Sequence, residues 1–270
     1  MGAPEETTIK SLGEFTHAVE IAMGDEAPVW YRGVTNAEHP LVPSLFRHPT
    51  ITQPNELIKL ERDLQRRYEE RSIPFRDVLA PVGDWGQLFV MQHFGVPTRL
   101  LDWSENPFVG LYFALANPVV DPNTKEVVKD AVVWALKPIA WNRHALQDVN
   151  FTGGILSIGT EDDDFLKALA PGVNDDHVRA TPLALHGIHN SPRIVAQRGA
   201  FTIFSKYTTP MDQTFDDKDH PAENLRRFVI PADHVMMMQR ALTAIGITDS
   251  VIYPDLGGLA LELKRYFKFV

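Results

Sequence analysis

An arginine beside a glycine at the end of a β-prone run is the first place where this chain offers chemistry: Pro28-Val29-Trp30-Tyr31-Arg32-Gly33. Three large side chains there suit a strand, and the Arg-Gly pair marks a turn. A guanidinium presents a planar fork of N–H donors that matches phosphate or carboxylate oxygens two at a time. A neighbouring glycine lets a ligand approach the backbone. An arginine paired with an acid at the core edge is the structural alternative.

The second place is Gln92-His93-Phe94-Gly95-Val96-Pro97-Thr98-Arg99-Leu100-Leu101-Asp102-Trp103-Ser104, between two helices expected to be buried. Buried polar groups need partners, so this run predicts an internal network. Two readings are open. The network is structural, with Asp102 paired to Arg99 or Arg32 and Gln92 satisfying loop backbone, or it is a site. The third place is Ser191 to Phe201, where Gln197 stands two residues before Gly199. Glutamine is no general base, but it orients a water or a hydroxyl. A strand-edge glutamine before a bulge glycine is its structural alternative.

Other chemistries find little support. The chain has no cysteine, which excludes disulfides, thiolate nucleophiles and Cys-based zinc sites. His186 and His189 lack the further ligands of a metal centre, so no metal is expected. Glu161 to Asp164 reads as a solvated acidic turn. The P-loop, dinucleotide-fold and hydrolase-elbow signatures do not occur.

The elements that must position these residues follow from periodicity. A helix is expected over 11–23 with Ser11 as its cap, a strand over 28–33 and an amphipathic helix over 55–71. A short helix over 84–93 with Asp84 at its cap leads into an extended piece at 98–103. Ser104 is read as the cap of a buried helix over 105–116. Strands are expected at 131–136, within 193–204 and at 226–230, then a helix over 232–245. A strand, a turn at Pro254-Asp255 and a closing helix end the chain. Residues 141–190 show no clear pattern beyond loops and short helices. Strands and helices alternate without a βαβ rhythm, which favours α+β over a doubly wound sheet. The expectation is a single domain with a mixed or antiparallel central sheet and flanking helices.

Of the 270 residues, 44% are hydrophobic and the net charge is −9. That excess of acid argues against an extended nucleic-acid surface, though a local basic cleft is compatible with it. The start is polar and acidic, unlike a secretory signal, and no apolar run approaches a membrane span. The cytoplasm is the expected compartment.

Taken together, these segments resemble the FRG domain family, whose Phe-Arg-Gly motif reads Tyr31-Arg32-Gly33 here. The likeness continues through Gln92–Ser104, Asn106-Pro107-Phe108, Arg193, Gln197, Gly199, Phe201 and the segment Tyr253 to Leu259. It implies an N-terminal helical lead-in over 1–27, an FRG domain over 28–262 and a C-terminal helix end over 263–270. A more distant likeness is to ADP-ribosyltransferases, which hold NAD with a strand arginine and carry a Ser-Thr-Ser strand running into a helix. It implies their split sheet and NAD as substrate, transferred to a macromolecular acceptor, in a toxin or phage-defence effector. The implied catalytic set is Arg32, His93, Asp102 and Gln197. The implied NAD-holding set is Tyr31, Arg32, Gly33, Thr98, Arg99, Trp103 and Ser104. The glutamate of those enzymes' third strand is replaced here by the Gln197–Gly199 segment, leaving Asp102 as the nearest carboxylate. A non-catalytic nucleotide-recognition domain and an RNA-cleaving toxin using His93 and Arg32 are the competing readings.

Overall fold

The run Ala131-Val132-Val133-Trp134-Ala135-Leu136 is apolar at every position, which suits a strand covered on both faces. It is such a strand in the computed structural model, which describes residues 4–24, 28–75, 83–160, 163–171, 173, 179–188, 191–216 and 221–269. The strands are β1 (Glu5–Thr8), β2 (Trp30–Val34), β3 (Leu100–Ser104), β4 (Ala131–Leu136), β5 (Leu156–Ser157), β6 (Leu183–His186), β7 (Gly199–Ile203) and β8 (Leu225–Ile230). The helices are α1 (Leu12–Met23), α2 (Pro54–Ser72), α3 (Asp84–His93), α4 (Pro107–Leu115), α5 (Pro138–Ala145), α6 (Asp163–Lys167), α7 (Pro192–Gln197), α8 (Ala232–Ala244), α9 (Asp249–Ile252) and α10 (Leu256–Tyr266). Among the described residues the strands form one mixed sheet ordered β1-β8-β4-β2-β3-β7-β6-β5. The fold is α+β with a central sheet, as expected.

Alternate residues of β4 enter two cores. Ala131, Val133 and Ala135 meet α1, α4 and α8, whereas Val132, Trp134 and Leu136 meet Trp30, Leu101, Trp103 and Trp141. A third cluster joins Leu88 and Phe89 of α3 to Leu100, Leu185 and Phe201.

The expected split sheet is one sheet with a weak seam. β2 pairs with β4 along its whole length and β3 pairs with β7 along its whole length. Between β2 and β3 the ladder holds a single register pair, Tyr31 with Ser104.

Four local readings are corrected. Residues 192–197 form α7 rather than strand, because Ser191 caps them by accepting from the Ile194 N–H and Pro192 takes the first position. Residues 249–252 are helical, not extended, since buried Asp249 anchors them to Tyr112 and Arg265. The cap of α4 is Asn106, whose Oδ1 accepts from the Phe108 N–H at 2.9 Å, and not Ser104. The cap position of α3 is Gly83, not Asp84. β1, with every residue exposed, has no core pattern to reveal it, yet it extends the sheet by pairing with β8. The segment 1–27 is therefore more than a helical lead-in. Within 141–190 the described residues supply α5, β5, α6 and β6; Glu161, Asp162 and His189 lie outside them.

Gly33 has a reason that the sequence does not show. An added Cβ would sit 2.0 Å from the Gly110 carbonyl oxygen and 2.3 Å from the Ala114 nitrogen. The missing side chain lets α4 lie on β2, with Gly110 making the matching approach toward Tyr31. Gly33→Ala must push that helix away, at a cost of about 3 kcal/mol or more. Thermal unfolding is expected to show a drop of at least about 6 °C, or no soluble protein. A shift under about 2 °C would contradict the close approach.

Candidate functional site

The weak seam is where the candidate residues gather. Beyond Tyr31 and Ser104 the two strands diverge, and Arg32 fills the opening: its Nη1 donates to the Asp102 carbonyl at 2.8 Å and lies 3.9 Å from Asp102 Oδ2. A side chain thus supplies the cross-strand bond that the backbone ladder lacks. Arg32 Nε and Nη2 have no hydrogen-bond partner among the described residues, so part of the fork stays available.

Asp102 is held from the other side. Gln92 Nε2 donates to Asp102 Oδ2 at 2.6 Å, and Thr98 Oγ1 donates to Gln92 Oε1 at 2.5 Å. Because Thr98 is fully buried, it fixes which way the Gln92 amide faces. Arg99, next in sequence, turns away from the cleft. Its Nε donates to Glu61 of α2 at 2.8 Å, and its other nitrogens donate to the carbonyls of Phe204, Leu169 and Ala170.

Two connected chambers open around this network. The inner one, about 510 Å³, is walled by Tyr31, Val109, Phe113, Ile194 and Phe201, with Gln197 at its edge. The outer one, about 690 Å³, is bounded by Ser44, Phe94, Ser191 and Pro254. Arg47, Gln92, His93, Asp102 and Arg193 line both and, with Arg32 on the inner side, form the waist. Neither Arg47 nor Arg193 has an acid partner among the described residues. The Arg193 guanidinium instead lies 4.6 Å over the Tyr253 ring, which aims it while leaving its charge available. In a chain with net charge −9, three arginines line the same chamber as Asp102, and Arg32 and Arg193 act on its charge. Such a place attracts an anion.

The electrostatics follow from this crowding. Burial pushes the Asp102 carboxyl above its usual range, opposed by Arg32 and the Gln92 amide. Its side chain is 56% exposed to the cleft, but protein surrounds the cleft, so solvent relieves the burial only in part. Partial burial holds the His93 imidazole below its usual value, and the nearby Arg193 charge reinforces that. Burial raises the Tyr31 phenol to about 12, and its hydroxyl has no hydrogen-bond partner among the described residues. Buried hydroxyls are normally paired.

The structure therefore brings together Tyr31, Arg32, His93 and Asp102 of the expected set. Gly33 borders the inner chamber, but its main task is packing α4. Ser104 is buried and donates to the Gln197 carbonyl at 2.6 Å, tying β3 to the end of α7. Gln197 places its amide on the Ile252 carbonyl at 3.1 Å and stands on a helix, not a strand. Trp103 is core: its indole N–H donates to Thr202 Oγ1 at 3.1 Å. Thr98 acts through Gln92, and Arg99 lines neither chamber. Sequence reasoning missed Arg47 and Arg193 as cations of the waist. Arg47 sits in a proline-punctuated loop that gives no period, and Arg193 was misread as a strand residue.

Comparison with known families matches the FRG domain model to residues 27–122. The chain carries an FRG domain over residues 27–122. The matched span contains β2, α2, α3, β3 and α4, and with them Arg32, Arg47, His93 and Asp102 of the waist. Arg193 and Gln197 lie after the matched FRG span, on α7, the helix that leads into β7 of the same sheet. Searches of curated proteins and of solved structures gave no match. The likeness to ADP-ribosyltransferases therefore stands on the residues alone. No described helix is long and apolar enough to cross a membrane.

Proposed function

We propose that the cleft binds NAD through its pyrophosphate and that the protein is an ADP-ribosyltransferase-like enzyme. The observation that carries this reading is the convergence of Arg32, Arg47 and Arg193 on one waist that holds a single engaged carboxylate, Asp102. A pyrophosphate suits that waist, and the chambers on either side suit the two nucleosides. The apolar inner walls favour a planar ring, and the Tyr31 hydroxyl offers that ring or its ribose a polar contact.

Cleavage would break the nicotinamide–ribose C–N bond. Its electron pair leaves with nicotinamide, and positive charge develops on the ribose. Asp102, fixed by Gln92, would stabilise that charge. An acceptor nucleophile then bonds to the anomeric carbon and releases its proton, which the neutral His93 imidazole can take. With a macromolecular acceptor, the outcome would be a toxin or defence effector.

Calorimetric titration with NAD, together with chromatography of nicotinamide released in cell lysate, tests both parts. Saturable binding with release supports the enzyme. Binding without release replaces it with a recognition domain, and RNA degradation without NAD replaces it with a nuclease.

The affinity should depend on pH. Protonating His93 adds positive charge as pH falls below the usual imidazole range. Protonating Asp102 removes negative charge as pH falls through a range above the usual carboxylate value. Both changes favour an anion whose own charge stays constant. Affinity for NAD is expected to rise about tenfold from about pH 8 to about pH 5, and His93→Gln should flatten part of that rise. An affinity that weakens on acidification would contradict the electrostatic assignment.

A further inference from the structure

The C-terminal helix α10 is docked by one face and bare on the other. On the docked face Gly258 lies so close to Tyr253 that a Cβ would sit 2.0 Å from the Tyr253 carbonyl oxygen. Glu262 accepts from the Ser250 N–H at 3.0 Å, and Arg265 bridges to buried Asp249 at 3.1 Å. The helix is therefore held in one orientation.

Its outward stripe is apolar. Leu256, Leu259, Leu263 and Tyr266, with Phe267 beside them, recur at helical spacing. They are 83%, 43%, 49%, 78% and 64% exposed, and Phe269 in the closing turn is 79% exposed. At the ~200 Å² typical of such residues when fully exposed, the stripe offers roughly 800 Å² of largely apolar surface. That exceeds the roughly 300–600 Å² of the largest patch on an ordinary monomer. It also reaches the roughly 800 Å² per partner that a stable interface buries.

The charges at the ends of the stripe select the occupant. Asp255 stands at its start, whereas Lys264 and Lys268 stand at its end. A second copy of the helix laid antiparallel sets each acid against the other copy's lysines and opposes the two helix dipoles. We propose that α10 is a homodimer interface, in which two copies pair their apolar stripes antiparallel about a two-fold axis. The interface meets the cleft at Asp255, which lines the outer chamber, whereas Leu263 and Tyr266 line neither chamber, so variants at those two positions test dimerisation apart from nucleotide binding.

Light scattering after size exclusion, from about 1 to about 100 μM chain, tests the proposal. The mass is expected to reach twice the 30.4 kDa of the chain. Leu263→Glu and Tyr266→Glu, both on the exposed stripe, should each return it to a monomer with unchanged circular dichroism and melting temperature. The double variant Lys264→Glu with Lys268→Glu should weaken the dimer at least about fivefold while keeping the fold. A monomer at the highest concentration, or a dimer that survives both glutamate variants, overturns the proposal. So does a monomeric chain that sediments with phosphatidylcholine–phosphatidylglycerol vesicles, since a lipid surface would then be the occupant.

Discussion

Glu61→Ala is expected to destabilise the folded chain by about 3–5 kcal/mol, the usual cost of removing one partner from a buried ion pair. Glu61 and Arg99 are 0% and 1% exposed, and their side chains meet at 2.8 Å. The carboxylate also accepts from the Arg99 backbone N–H at 3.2 Å. Without Glu61 the guanidinium keeps only the carbonyls of Phe204, Leu169 and Ala170 and stays buried with no counter-charge. Arg99 stands directly before β3, so the damage reaches the strand that carries Asp102. Urea denaturation should show the midpoint falling with little change in slope. A loss below about 1 kcal/mol would mean that the pair contributes no more than a surface one. Glu61→Gln, which keeps an acceptor, should fall between the two.

The second large effect belongs to the waist. Arg32→Ala should weaken NAD binding roughly 10–100-fold, the equivalent of losing one charge-assisted hydrogen bond or two. It also removes the donor to the Asp102 carbonyl, which costs about 1–3 kcal/mol of stability if that carbonyl stays buried and unpaired. Binding must therefore be read from the folded fraction. Arg47→Ala supplies the control, because Arg47 is exposed and makes no ion pair among the described residues. It should weaken binding while leaving the melting temperature unchanged. Unaltered affinity in both variants would remove the arginine waist from the account.

How far the sequence carried this picture depends on the kind of signal. Helices with a strong stripe and a clear cap, such as α1 behind Ser11, were legible, as was the all-apolar β4. The polar run from Gln92 to Ser104 was rightly read as a network, and Asp102 does meet Arg32. What periodicity could not show was direction. Thr98 and Arg99 are neighbours, yet one supports the cleft through Gln92 and the other points into the core toward Glu61. Glu61 itself sits on the amphipathic helix α2 among many charged residues, and nothing in the spacing marks it as the one that is buried. Gly33 was assigned to ligand approach, whereas the backbone of α4 occupies the space. Gln197 was placed on a strand because alternation in Arg193–Phe204 is ambiguous over so few residues, and Ser191-Pro192 decides for helix. Arg47 and Arg193 join the cleft only through tertiary structure, from segments far apart in the chain.

The most direct test of the central claim is a crystal structure of the chain grown with NAD. The account predicts the pyrophosphate at the waist, within hydrogen-bond reach of at least two of Arg32, Arg47 and Arg193, with the nucleosides in the two chambers. An ordered nucleotide elsewhere on the molecule, or an empty waist in crystals grown at millimolar NAD, would contradict it.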